Sequence, residues 1–274
     1  MQEEQNNNFD TPQEIEDEIE LTHSDKIVGL FTEPIRTFTK MAKEPTKTLD
    51  WVIPVIFLII ITNVALMILM TNPNIKYAFQ EKQIENIQKQ FDEAVTKGQM
   101  TGQQADEQIE QIRERMEKSG GVTQIIQFVS SAIGIFIVFF IVSGVFFLIV
   151  KFGLKGDGTY SHAMTAYGLP FYIAAIQWIF IVIFGLVAER MITDTSIASI
   201  MNVDKSTLGG FLLSKLDAFT IWFYWLFAVG LAKLFKSENL NKYVITVFTV
   251  WIGFSLLFYF LSQSIPLLKP FLGN

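Results

Sequence analysis

Long uncharged apolar runs recur along this chain from Val52 onward. Val52–Met70, Phe128–Val150, Pro170–Ala188 and Tyr243–Gln263 each contain about twenty residues without a charge, the length a helix needs to cross the hydrocarbon of a bilayer. A fifth run, Ala218–Ala232, is shorter and reaches Phe235 if Lys233 extends its amine to the interface. Backbone polar groups in lipid must be satisfied within the segment, so the runs are predicted to be helices. The alternating ten-residue strands of an outer-membrane barrel are absent. The fold class predicted is an all-α integral membrane bundle of five transmembrane helices.

The polar positions divide the rest. Asn72–Thr123 is the one substantial polar insertion. Ile84, Ile87, Phe91 and Ala94 form one helical stripe, and Ala105, Ile109, Ile112 and Met116 form another. The breaker stretch Lys97–Gly102 between them predicts an antiparallel, coiled-coil-like hairpin standing off the membrane. Its stripes serve the hairpin's own packing, or they leave a groove for a third helix from a partner. Ahead of the first run, Ile27, Phe31, Ile35 and Phe38 recur at helical spacing among Lys26, Arg36, Lys40 and Lys43, and Pro34 fits a helix start after a Thr32 cap. Two readings stand: an amphipathic stretch lying on anionic lipid, or a linker packed under the bundle.

The organisation expected is an acidic tail over 1–25, a pre-membrane segment over 26–50, spans at 51–71, 124–152, 168–190, 215–236 and 242–264, the hairpin at 72–123 and a loop at 191–214. That loop contains a candidate short surface helix at Ile197–Met201. The first apolar run follows no basic n-region or small-residue cleavage site, so the first span is expected to direct insertion itself.

Charge changes this picture at two points. Nine of the 27 acidic residues and none of the 21 Lys and Arg fall within residues 1–25. Such an Asn/Gln-rich tail buries too little apolar surface to fold alone, and it is either a docking tail or inert. Lys and Arg before the first span, between the second and third, and between the fourth and fifth place those loops in the cytoplasm by the positive-inside rule. The N terminus is then cytoplasmic, and the hairpin and the third-to-fourth loop are extracytoplasmic. The hairpin mixes seven basic with nine acidic residues and is no nucleic-acid surface.

Chemistry-bearing constellations are scarce. The chain has no Cys and only two His, His23 and His162, without metal spacing. Gly156, Gly158 and Gly168 lack the phosphate-loop pattern, and no cofactor motif occurs. Asp217 opens the fourth run, where a carboxylate suits a helix N-terminus. Glu189 and Arg190 close the third and are expected to pair with each other at the surface, and none of these three charges is expected at mid-membrane. Asn63 and Gln177 are placed to hydrogen-bond between helices, and Ser130 with Gly134 forms a small-residue step suited to close helix approach.

Three stretches together resemble the Yip-domain family of multi-span membrane proteins. The first is Gly29–Leu30–Phe31 with Pro34, Phe38 and Pro45, then Trp51 and Pro54. The second is Lys155–Gly156–Asp157–Gly158–Thr159–Tyr160–Ser161 leading to Ala166–Tyr167–Gly168–Leu169–Pro170. The third is Leu216–Asp217–Ala218–Phe219–Thr220–Ile221–Trp222, ending in Gly230–Leu231–Ala232. The chain lacks the Asp-Leu-x-Gly-Pro motif of trafficking members that act with Rab-type GTPases, and Tyr167–Gly168 reverses the usual order. The hairpin and acidic tail look more like the bacterial branch, which implies the bacterial inner membrane. The resemblance implies a non-enzymatic scaffold or adaptor with a membrane-organising or trafficking-type role. Its partners would be the lipid bilayer, other membrane proteins and further copies of the chain. The rival class is a transporter, alone or as the membrane subunit of an ABC-type exporter, which discontinuous helices and midplane polar groups would favour.

Overall fold

The structure is a computed structural model that describes residues 20–117 and 121–264. Most of the acidic tail therefore lies outside the described residues, as do residues 118–120 and 265–274. Every regular element among the described residues is helical.

Two short helices precede the first span. Thr22 starts α1 (His23–Thr32) with a capping box: its hydroxyl accepts from the Asp25 N–H at 3.2 Å while the Asp25 carboxylate accepts from the Thr22 N–H at 2.9 Å. α2 (Pro34–Met41) opens on Pro34 as expected, but Thr32 does not cap it. Thr32 ends α1 and donates its hydroxyl to Val28 O at 3.0 Å, so Glu33 occupies the cap without a side-chain hydrogen bond.

The first span is α3 (Leu49–Leu69), and the polar insertion forms α4 (Pro73–Thr96) and α5 (Gly102–Glu117). Asn72 caps α4 by accepting from the N–H groups of Asn74 and Ile75. Gly98, at φ 67°, turns the chain after it. The two helices run antiparallel, with Ile84 and Ala105 buried and Arg113 bridging back to Glu81 at 2.7 Å.

α6 (Gly121–Leu148) widens into a π turn over Ile149–Gly153. The connection to the third span is not all loop. It carries α7 (Tyr160–Gly168), begun by Thr159 with the His162 ring accepting from the Thr159 N–H at 3.0 Å. Leu169 and Pro170 separate it from α8 (Phe171–Ala188). After α9 (Ile197–Ile200), α10 (Leu208–Ser214) meets α11 (Ala218–Leu234) at a 60° bend, and α12 (Leu240–Ser264) follows. Among the described residues, four stretches are long and apolar enough to span a membrane, five if the bent α10–α11 pair is one span. The chain is an all-α integral membrane bundle.

α3 and α8 set the frame. Trp51 lies against Gly168, and Leu69 against Gly185, so the two helices run side by side in the same direction. At 1.5 Å per residue, the 21 residues of α3 cover about 31 Å, the thickness of the hydrocarbon. The end where α3 begins, called the near end here, holds the core. There Phe139 stacks on Trp51 at 5.2 Å and on Tyr167 at 5.7 Å, and Tyr167 meets Phe227 at 5.0 Å. Every residue from Leu226 to Ala232 is buried, so the second half of α11 is surrounded by protein rather than lipid. Outward, α3, α6, α8 and α12 expose Ile56, Ile137, Ile183 and Phe254, the apolar coat of a bundle in lipid.

Candidate functional site

The three motif stretches meet at the near end. α1 crosses α2 where Gly29 faces Thr37, so close that a Cβ on Gly29 would collide with the Thr37 hydroxyl. This crossing drives Leu30, Phe38 and Met41 into the bundle. Phe31 touches Trp222 edge to face at 5.7 Å, and Phe38 reaches Gly230, where an added Cβ would lie 3.1 Å from both Phe38 and Ala166. The pre-span segment is therefore packed on the bundle through α11. Its outer side still exposes Val28 and Ile35 beside Arg36 and Lys40, a surface fit for the lipid interface.

The glycine loop closes the same end. Asp157 donates its N–H to Phe235 O at 3.1 Å and its carboxylate lies 3.6 Å from Lys236. Cβ atoms on Gly156 and Gly158 would lie 2.8 Å from Val150 and 2.6 Å from the Phe235 ring, distances that side chains do not tolerate. Gly168 lets α7 pass the α3 backbone, since a Cβ there would sit 2.7 Å from Trp51 Cβ. Its neighbour Tyr167 inserts its ring into the aromatic core, and Pro170 stands at the cap just before α8, where an amide would have no helical partner.

A buried ion pair locks this junction. Lys26 Nζ donates to both Asp50 oxygens at 2.8 and 2.9 Å, with the two side chains 3% and 4% exposed. Asp50 stands at the start of α3, so the pair ties α1 to the first span. His23 adds a second tie, its Nε2 lying 2.7 Å from the Tyr172 hydroxyl while its Nδ1 is 3.9 Å from Asp50. Burial holds the His23 imidazole below its ordinary pKa against the pull of Asp50, and the Lys26 charge adds to the depression. Of the two readings the sequence leaves open, packing under the bundle or lying on anionic lipid, the second makes Lys26 one of several cations facing lipid. It is buried and cannot serve there. The one available signal was its place beside Ile27 on the apolar stripe.

Asp217, Phe219 and Trp222 begin α11 deeper in the bundle. Asp217 is buried and accepts four hydrogen bonds: from Thr220 N–H at 3.0 Å, Gln177 Nε2 at 2.9 Å, and the N–H and hydroxyl of Thr195, both at 3.0 Å. Gln177 lies six residues into α8, so Asp217 sits about 9 Å inside from Phe171 and about 17 Å from Ala188. The expectation that no charge lies near mid-membrane is thus corrected. α10 dips inward before the bend, and the carboxylate caps a helix that starts within the bundle. Phe219 packs on Phe180 at 5.0 Å.

Two more expectations change beyond that bend. Glu189 and Arg190 do not pair. Glu189 adopts φ 49° and accepts from Asn74, whereas Arg190 donates to Asn202 and to the carbonyls of Ser199 and Ile200. Lys205 instead meets Asp194 at 2.6 Å. Burial raises the Asp194 pKa, but hydrogen bonds from Lys205, Ser196 and Ser199 outweigh it and hold the carboxyl below its usual range. Asn63 does bridge helices, donating to Ser131 at 3.1 Å. Gly134 does not, because a Cβ there would meet nothing within 4 Å. Among the described residues, no three His, Asp or Glu side chains converge as a metal site.

Residues of all three motif stretches contribute to the near-end junction, and a family model, the Yip1 domain, matches residues 28–261. The chain belongs to the Yip1-domain family. The match takes in every residue of the three stretches, and His23 and Lys26 lie just before it. No curated protein and no solved structure matches the chain.

Proposed function

We propose that this Yip1-domain protein is a non-enzymatic membrane scaffold or adaptor that organises other membrane proteins. The observation that carries this reading is the closure of its mid-span polar groups on each other. Asp217 takes all four of its donors from Gln177, Thr195 and Thr220, and Asn63 takes Ser131. A transport path needs such groups turned toward a substrate or ion. The α10–α11 break is the feature a transporter would share, but its polar atoms are spent holding the break together.

In this reading the N terminus is cytoplasmic and the α4–α5 hairpin extracytoplasmic, giving one docking module on each side. Crosslinking and mass spectrometry in native bacterial inner membranes test it, comparing the full chain with versions lacking residues 1–25 or 72–123. Partner sets that change with either deletion support docking by these modules. Unchanged partner sets, or solute flux by the purified protein in vesicles, would refute the scaffold reading.

A further inference from the structure

Between α3, α6, α8 and α11 lies a groove of about 380 Å³ that the family assignment does not explain. Leu58, Gly134, Val138, Phe171, Ala174 and Phe223 make its apolar walls. It is open because Gly134 and Ala174 are small and no helix among the described residues covers Gly134. Ile137, Ile141 and Ile221, exposed on the two helices flanking it, belong to the lipid-facing coat, so its mouth gives onto bilayer hydrocarbon.

The lining also holds polar atoms without partners. Tyr167 and Tyr224 both border the groove, and neither phenol hydroxyl makes a hydrogen bond to any described residue, although Tyr167 is only 8% exposed. A hydroxyl without an acceptor in a dry environment is costly. Tyr167 lies at the level of Trp51, where α3 begins, and the groove extends from there inward to Gln177. An occupant therefore needs an apolar tail for the depth of the groove and an acceptor oxygen near the interface.

We infer that this groove binds one acyl chain of a membrane glycerolipid, with the Tyr167 and Tyr224 hydroxyls donating to its ester carbonyl oxygens. The inference is independent of the scaffold reading. It concerns a lipid held by the bundle, not a protein docked on its modules.

Native mass spectrometry of the full chain tests it, after detergent washing that strips annular lipid from an inner-membrane preparation. The wild type should retain one phospholipid per chain. Gly134→Phe, whose side chain enters open space, should retain none, while Ile179→Phe on the lipid-facing side of α8 should retain one. Y167F and Y224F should each weaken retention about threefold, the usual worth of a hydrogen bond within a membrane bundle. Wild type that retains no lipid, or Gly134→Phe that retains as much as wild type, would overturn the inference. Retention unaffected by Y167F and Y224F would overturn the glycerolipid assignment. If instead Gly134→Phe abolishes a dimer of lipid-free wild type, the occupant is a helix of a second copy and the inference is wrong.

Discussion

The Lys26–Asp50 pair makes the strongest demand on the near-end junction. Both charges are about 96% buried, and Lys26 engages both carboxylate oxygens within 2.9 Å. Removing one partner of such a pair leaves an uncompensated buried charge and costs about 3–5 kcal/mol, while replacing both by apolar groups is nearly neutral or stabilising. Asp50→Ala should therefore shift the docking equilibrium of α1–α2 by about two to three and a half orders of magnitude, at 1.4 kcal/mol per tenfold. When opening is fast relative to cleavage, proteolysis follows the open population. Limited trypsin digestion in detergent, followed at Arg36 and Lys40, should then be far faster in Asp50→Ala and in Lys26→Met than in wild type. The pair K26M/D50L should return close to wild type. Trp222, which touches Phe31, gives a fluorescence readout of the same separation. Single mutants cleaved at the wild-type rate would show that the pair does not hold the junction. A double mutant as labile as the singles would show that lost charge pairing is not the cause.

Three further outcomes follow from particular contacts. The depressed His23 pKa means the unfolded chain binds the extra proton more readily, so this contribution is complete above about pH 6.5 and is lost as pH falls through the lower folded value. Trypsin sensitivity at Arg36 should rise on acidification, and His23→Gln should flatten that profile; a profile left unchanged by His23→Gln would show that His23 does not carry it. Gly158→Val should lower thermal stability by about 1–3 kcal/mol through its clash with Phe235, whereas Gly253→Ala, facing open space, should not destabilise; equal melting of the two variants would contradict the packing argument. Asp217→Ala strands Gln177 and Thr195 donors and removes a helix cap, so it should cost at least about 2 kcal/mol, with Asp217→Asn costing less; a fully stable alanine variant would remove Asp217 from the architecture.

The spans could be read from the sequence because lipid permits only one backbone solution, and uncharged length reports it directly. The hairpin was legible for a similar reason, since its two stripes can be buried only against each other. The pre-span segment shows where this kind of reasoning stops. Its helical spacing placed Ile27, Phe31 and Phe38 on the packed side but also Ile35, which is exposed, and Lys26 and Asp50 lie 24 residues apart, each by itself an ordinary interfacial charge. Only the Gly29 crossing, which turns α1 across α2, brings Lys26 over the start of α3. The Thr32 cap failed for a local reason, because its hydroxyl is already engaged one turn back.

Asp217 shows a different limit. An apolar run reports how much chain can sit in lipid, but not the depth at which a helix begins. Leu208–Ser214 and Ala218–Leu234 together have the composition of one span, and the run around Asp217 looks like a surface helix start. What moves it inward is the loop before it: Ile197 donates its N–H to Leu216 O, and Thr195 donates twice to the carboxylate. These bonds tie both sides of the bend to one point on α8. Once α11 begins about a third of the way along α8, its 17 residues extend past the start of α3, at about 1.5 Å each. Its second half must then be covered by something other than lipid. α2, α7 and the glycine loop supply that cover, which is why Gly230 faces Phe38 and Ala166, and why Gly158 lies on Phe235. The buried carboxylate and the near-end glycines Gly158 and Gly230, which flank it in sequence, are thus two consequences of one displacement of α11 along the bundle.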